Sequence, residues 1–118
     1  MNILIFGASG ATGHELVQKA LAQGHIVTAF VRNPAKLIIR HDKLRLMEGD
    51  VKDYASVENA VKGQEATLSA LGASSPFKLD LTVIDGVKNI IKAMEQADVW
   101  RFIYLSFLGV RESRMVHT

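Results

Sequence analysis

The chain has 118 residues and a formal net charge of +2, a length typical of one domain with one core but small for a complete two-site enzyme. It contains no cysteine, which excludes disulfides, thiol catalysis and thiolate metal sites. It also lacks a Lys/Arg tract, which argues against nucleic acid as a partner.

The first predicted element is a buried strand, residues 3–6, that runs into a glycine-rich turn, Gly7-Ala8-Ser9-Gly10-Ala11-Thr12-Gly13. A helical pattern follows the turn at once. Glycines allow the backbone to approach a pyrophosphate closely, and the N–H groups and dipole of a first helical turn attract negative charge. A glycine motif placed between a strand and a helix predicts a dinucleotide site.

Strand and helix patterns alternate through the rest of the chain. The helical stripe of residues 15–21 ends at Gly24, and residues 25–31 form the second predicted strand. Asn33-Pro34 ends that strand before a short helix at residues 35–37. A third strand at residues 44–47 reaches Gly49-Asp50.

Asp53 and Ser56 are alternative caps for a helix that runs through Val61. Residues 66–72 predict a fourth strand and residues 101–105 a fifth. Between them, residues 80–96 predict the longest helix, whose buried face would carry Leu81, Ile84, Val87, Ile91 and Met94. Residues 109–118 form a short tail in which we predict no element.

Five apolar strands separated by helices predict an α/β fold with one domain over residues 1–118. It is a Rossmann-like three-layer sandwich, with a parallel sheet in the order 3-2-1-4-5 and helices on both faces. The crevice would lie above strands 1 and 4, where the winding reverses. The fifth strand would be an exposed apolar edge, which predicts self-association. The sequence has neither a leader pattern nor a long apolar span, so we expect a cytoplasmic protein without a membrane partner.

The end of the second strand indicates which dinucleotide binds. An NAD site places Asp or Glu there for the ribose 2′-OH, whereas Arg meets the 2′-phosphate of NADP. This strand ends in Val31-Arg32-Asn33 without a carboxylate, so NADP(H) is favoured over NAD(H). The alternative is that Arg32 is a solvated loop charge, and Lys36 is more simply explained as part of a solvated helix face.

Four landmarks together resemble the NmrA-like, NAD(P)-binding group of atypical short-chain dehydrogenases. They are the glycine-rich turn, Val31-Arg32-Asn33-Pro34, Glu48-Gly49-Asp50-Val51, and residues 101–106. That group includes flavin/biliverdin reductases, quinone reductases and redox-sensing regulators. The resemblance covers nearly the whole chain and implies the Rossmann fold and the cofactor, but not the substrate.

The resemblance also implies a cofactor-binding set. Its residues are Gly7, Gly10 and Gly13 in the pyrophosphate turn, Ser9, Ala11 and Thr12 as further phosphate contacts, Arg32 at the 2′-phosphate, Asp50 and Val51 beside the adenine, and Leu71, Gly72 and Ala73 beside the nicotinamide ribose. For Asp50 an equal alternative is a turn residue after Gly49.

Catalytic residues are harder to assign. A Tyr-x-x-x-Lys pair is lacking, since Tyr54 is followed four residues later by Glu58 and Tyr104 by Leu108. Ser106, at the end of the fifth strand, is the one catalytic candidate, and its alternative is a serine bonded to backbone. The four histidines show no ligand spacing, so we predict no metal site.

Three functions remain open at this point. The first is an NADP-dependent oxidoreductase that reduces a flavin, a quinone or a similar planar acceptor, with the cofactor supplying the hydride. The second is a regulatory protein that senses NADP(H) without turnover. The third is the inactive nucleotide-binding half of a longer reductase, because members of the group are usually longer than this chain.

Overall fold

A computed structural model of the chain describes the backbone of residues 1–70, 81–106 and 109–114, and the side chains of residues 1–70 and 84–103. Its strands are β1 (Asn2–Phe6), β2 (Ile26–Val31), β3 (Leu44–Glu48), β4 (Ala66–Ser69), β5 (Arg101–Ser106) and β6 (Gly109–Arg114). Its helices are α1 (Ala11–Ala22), α2 (Tyr54–Val61) and α3 (Leu81–Ala97), with a 3-10 turn at Pro34–Lys36.

The strands form one sheet in the order β3-β2-β1-β4-β5-β6, and β1 to β5 run parallel. The predicted order 3-2-1-4-5 is therefore confirmed. Phe6 of β1 is level with Phe30 of β2 and Ser69 of β4, and Ser69 is level with Tyr104 of β5. The C-terminal ends of these strands consequently share one edge of the sheet, which we call the carboxyl edge.

A sixth strand was missed by the sequence analysis, which assigned no element to residues 109–118. β6 pairs antiparallel with β5 along its whole length, from Arg101 opposite Arg114 to Ser106 opposite Gly109. Backbone pairing at a sheet edge needs no apolar side chains, so the hydropathy pattern carried no signal for it. The outer edge of β5 is thus occupied, and the predicted self-association, which stays a prediction, would have to use the edge of β6.

Helices cover both faces of the sheet, as a three-layer sandwich requires. α2 and α3 pack on the face that carries Leu4, Phe6, Phe30 and Phe102, and the rings of Phe6 and Phe30 lie 4.9 Å apart. α1 packs on the opposite face; the buried residues there include Ile3, Ile5, Val27, Ala29 and Val31 of the strands and Val17, Ala20 and Leu21 of the helix. Alternate residues of β1 and β2 are buried on opposite faces of the sheet, which explains their nearly continuous apolar sequence.

The buried face of α3 differs in detail from the predicted one. Ile84 is 37% exposed, whereas Ile90, Ala93 and Met94 are fully buried and Val87 and Ile91 pack at their margin. Leu81 lies outside the described side chains. In the part of the chain that the structure describes, no helix is long and apolar enough to cross a membrane.

Candidate functional site

The glycine-rich turn, residues 7–13, leaves β1 at the carboxyl edge and leads directly into α1. Gly7 has a φ of +74°, and its carbonyl accepts a hydrogen bond from the N–H of Gly10 at 3.3 Å. Gly10 occupies the N-cap position of α1, where no side chain caps the helix. The N–H groups of the first helical turn therefore point at the carboxyl edge without a capping side chain in front of them.

Gly13 allows this turn to be so tight. A Cβ at Gly13 would lie 1.9 Å from the carbonyl oxygen of Gly7 and 2.8 Å from the Cα of Ala8. Both neighbours are backbone atoms that cannot move aside, so only glycine fits. The close packing of α1 on the end of β1 fixes where the first helical turn lies.

Gly10 is a different case, because the protein itself leaves room for a side chain there. A Cβ at Gly10 would meet its nearest heavy atom, the carbonyl oxygen of Gly7, at an ordinary 3.7 Å, and its φ is −77°. Ser9, Gly10 and Ala11 are exposed and Thr12 is half-buried. The first turn of α1 carries no acidic residue, so the positive end of the helix dipole faces solvent without a competing carboxylate. This open, glycine-lined cradle fits the pyrophosphate of a dinucleotide.

Arg32 lies beside that cradle. It follows the last residue of β2, and because Phe30 is level with Phe6, Arg32 emerges at the carboxyl edge next to the glycine-rich turn. Arg32 is exposed, and no hydrogen bond or ion pair joins it to another residue of the described part of the chain. The turn after it is held by Asn33, whose Oδ1 accepts a hydrogen bond from the N–H of Ala35 at 3.1 Å. A guanidinium there is available to a phosphate.

Asp50 and Val51 form the loop after β3, at the same edge of the sheet. The Oδ1 of Asp50 accepts a hydrogen bond from the N–H of Lys52 at 2.9 Å, and its carbonyl accepts one from Asp53. Asp50 therefore does act as a turn residue, while its contact with adenine stays a prediction. The side chain of Val51 is buried in the core under α2 and α3. Only the backbone of Val51 is therefore available at the carboxyl edge.

Three further residues hold this loop. A Cβ at Gly49 would lie 2.6 Å from the ring of Phe30, so Gly49 lets the chain pass over that buried ring. The Oγ of Ser56 accepts from the N–H of Asp50 at 3.3 Å and donates to the carbonyl of Asp50 at 3.0 Å. Sequence reasoning considered Ser56 only as a helix cap.

The third holding residue, Asn89 of α3, was missed altogether. Its Nδ2 donates a hydrogen bond to the carbonyl of Val51 at 2.8 Å. The sequence did contain a signal for this contact, because Asn89 is a polar residue that lies between Val87 and Ile90 in the apolar stripe of the helix.

The remaining site residues are placed only in part. Leu71, Gly72 and Ala73 lie outside the described residues, so their predicted contact with the nicotinamide ribose is untested. Ser106 ends β5, two residues beyond Tyr104 at the carboxyl edge, with its backbone opposite Gly109. Its side chain lies outside the described ones, and its catalytic role stays a prediction.

Tyr54 and Lys92 meet in space although they form no sequence motif. The Nζ of Lys92 lies 4.6 Å from the ring centroid of Tyr54, over the ring face. Desolvation, then the nearby carboxylate of Glu58, raise the pKa of Tyr54 above its ordinary value. This cation–π contact joins α2 to α3.

Metal ligands do not converge in the described part of the chain. Within it, no three His, Asp or Glu side chains come together as a potential metal site. The N-terminal amine lies 3.3 Å from the Nδ1 of His25, and the Nδ1 of His41 accepts a hydrogen bond from the N–H of Lys43.

Comparison with known proteins agrees with this geometry. A family model described as NAD(P)H-binding matches residues 7–118. The photosystem II assembly factor Ycf39 of Synechocystis sp. is 26% identical over 115 residues, which are 95% of this chain and 35% of that protein. A 3-beta-hydroxysteroid dehydrogenase of Mycolicibacterium neoaurum is 32% identical over 116 residues, with 86% of this chain and 31% of that protein covered.

Solved structures give the same picture. A Rossmann-fold NAD(P)-binding family protein from Shigella flexneri superposes with a TM-score of 0.72 and 28% identity, and the match covers 86% of this chain and 49% of that one. The chain thus spans about a third of these curated relatives and about half of this solved neighbour.

Proposed function

Because the chain belongs to the NAD(P)H-binding family, we propose that it is an oxidoreductase that binds NADP(H) in preference to NAD(H) and reduces a planar acceptor such as a flavin or a quinone. The observation that carries the cofactor preference is the position of Arg32. It is an exposed guanidinium at the end of β2, beside the glycine-rich turn, and residues 30–41 contain no carboxylate. A permanently charged, planar donor matches the 2′-phosphate.

Each part of the carboxyl edge has a proposed role in binding. The first turn of α1 and the backbone of the glycine-rich turn hold the pyrophosphate, and Arg32 holds the 2′-phosphate. Asp50 and Val51 border the adenine, and Leu71 and Gly72 border the nicotinamide ribose. When bound, the reduced nicotinamide supplies a hydride, and the residues of this chain bind and orient it.

A planar acceptor is proposed because such a reduction needs little proton transfer from the protein. The sequence carries no Tyr-x-x-x-Lys pair, and the tyrosine and lysine that do meet are a packing contact. An acceptor of this kind is the one that the resemblance to the NmrA-like group implies. Ser106 remains the one candidate for a hydrogen bond to the substrate.

The test of the cofactor proposal is a titration of the protein with NADPH and with NADH, repeated with Arg32→Ala. A lost charge-assisted hydrogen bond predicts a drop in NADPH affinity of about tenfold or more, with NADH little changed. Arg45→Ala is the matched control, since Arg45 is an exposed arginine in the middle of β3 and away from the carboxyl edge. An equal loss for both nucleotides would contradict the proposed contact with the 2′-phosphate.

The test of the reductase proposal is NADPH oxidation measured against a panel of flavins and quinones. Turnover of at least one acceptor is expected. Cofactor binding without turnover across the panel would reject the reductase and leave a regulatory protein that senses NADP(H). The name of one relative, an assembly factor, favours that second candidate, which predicts different affinities for the oxidised and reduced cofactor.

The α1 face of the sheet supports the third candidate, a nucleotide-binding part that works within a longer reductase. A groove of about 290 Å³ lies beside α1, and Leu16, Leu68 and Ile103 are among the residues that line it. Among the described residues α1 packs mainly on β1 and β2, and a parallel sheet is normally covered across its width, so this groove beside β4 and β5 is where a further helix would pack. In that case cofactor binding by the chain is retained and acceptor turnover is lost.

A further inference from the structure

Asn89 makes a contact that helix formation does not explain. It lies in the middle of α3, where asparagine is a poor helix former, and it is half-buried beside Ile90, which is fully buried. Its Nδ2 reaches out of the helix to the carbonyl of Val51, 38 residues earlier in the chain, at 2.8 Å. The side chain thus connects α3 with the loop between β3 and α2.

The other hydrogen bonds of residues 50–53 are local, although the preceding Gly49 donates a hydrogen bond to the carbonyl of Val31 at 3.0 Å and Val51 is buried in the core. Among the described residues, every other hydrogen bond made by residues 50–53 has its partner within residues 50–57. Lys52 and Asp53 bond to Asp50, Ser56 bonds to Asp50 and Asp53, and Val57 bonds to Asp53. They shape the loop, and the hydrogen bond of Gly49 joins only its start to β2. The hydrogen bond from Asn89 joins the middle of the loop to α3, which packs against the same core as Val51.

We propose that Asn89 is a positioning residue for the adenosine end of the cofactor. By holding the carbonyl of Val51, it keeps Asp50 and Val51 at the place where the adenine is proposed to bind, and so spares the cofactor the cost of ordering that loop. This inference rests on the proposed function of the carboxyl edge. The pyrophosphate turn does not depend on Asn89, since Gly13 and the backbone of residues 7–10 hold it.

The variants separate the hydrogen bond from the packing. Asn89→Leu keeps the branching at Cγ and the number of heavy atoms but removes the amide, whereas Asn89→Asp keeps the shape and places an acceptor against the carbonyl of Val51. Both should weaken binding if the donated hydrogen bond is what matters. Asn59→Leu and Asn59→Asp are the matched controls, because Asn59 is exposed on α2.

Two probes separate a local effect from a general loss of structure. 2′,5′-ADP carries the adenosine and its phosphates, and inorganic pyrophosphate reaches the glycine-rich turn alone. Both Asn89 variants should bind 2′,5′-ADP about fivefold more weakly, the equivalent of one ordinary hydrogen bond, and pyrophosphate as before. An equal loss for the two probes, or normal binding by Asn89→Asp, would overturn the inference.

Hydrogen exchange of the ligand-free protein tests the hydrogen bond from Asn89 to Val51, which we call the tether, without any cofactor. Amides of residues 50–53 should exchange about fivefold faster in Asn89→Leu than in Asn59→Leu, while those of β1 stay unchanged. Unchanged exchange in the loop would reject the tether. If the loop exchanges faster in Asn89→Leu but the wild-type protein binds neither NADPH nor 2′,5′-ADP, the proposed function is rejected, and with it the positioning role, while the hydrogen bond from Asn89 to Val51 remains as a structural contact.

Discussion

The two turns at the carboxyl edge are built in opposite ways. The turn after β1 is held by backbone alone: the carbonyl of Gly7 accepts the N–H of Gly10 and touches the backbone of Gly13. The turn after β3 has backbone hydrogen bonds too, but it also depends on side chains, with Ser56 bonded to Asp50, Asn89 bonded to Val51 and the ring of Phe30 under Gly49.

This difference determines how each turn responds to change. A backbone-held turn has no side chain to rearrange, so a methyl group added at Gly13 has nowhere to go. A turn held by side chains depends on several contacts, each worth about 1 kcal/mol. Losing one of them should loosen the turn without abolishing its structure. We therefore expect a rigid phosphate cradle beside a more adjustable adenosine border.

The largest effect is expected for Gly13→Ala. Its Cβ would lie 1.9 Å from the carbonyl oxygen of Gly7, so α1 must move away from β1, at a cost of about 3 kcal/mol of the free energy of unfolding. Urea denaturation followed by circular dichroism measures this loss, and NADPH binding should disappear with it. Gln18→Ala, on the exposed side of α1, is the control and should change stability little. Native stability in Gly13→Ala would show that the turn is not held as we describe.

A smaller loss is expected for Gly49→Ala. The obstacle here is the ring of Phe30, 2.6 Å from the added Cβ, and a ring can shift where a carbonyl cannot. We expect destabilisation of about 1–2 kcal/mol.

Phe30→Leu gives this prediction its control, because it removes the ring atoms in question. In a double-mutant cycle, Gly49→Ala should cost less in the Phe30→Leu background than in the wild type, with a coupling of about 1 kcal/mol. Equal costs in the two backgrounds would mean that Gly49 is glycine for a reason other than the ring.

The same contrast explains what the sequence could predict. The glycine-rich turn was recognised because its requirements fall within seven consecutive residues, between a strand and a helix. The central strands β1 and β2 were recognised because each is buried on both faces and reads as an apolar run. The 3-2-1-4-5 order followed from the handedness of the crossovers.

What was missed depends on residues distant in sequence. Asn89 bonds to Val51, which is 38 residues away in the sequence, and no local sequence pattern indicates such a partner. β6 was missed because its pairing with β5 is made by backbone groups, whatever its side chains are. Ile84 was assigned to the buried face of α3 from periodicity alone, which cannot tell where along a helix the packing stops.

The smallest effect on stability, and the sharpest test of the cradle, is expected for Gly10→Ala. The protein has room for this Cβ, whose nearest heavy atom would be 3.7 Å away. Alanine is also only a somewhat poorer N-cap residue than glycine, so the free energy of unfolding should change by about 1 kcal/mol or less. NADPH affinity should nevertheless fall by about tenfold or more, because the methyl group occupies the space through which a phosphate approaches the backbone. Titration of Gly10→Ala beside Gln18→Ala measures both quantities. Unchanged NADPH binding by Gly10→Ala would show that the pyrophosphate does not contact the N-cap of α1, since nothing within the described protein then requires glycine there.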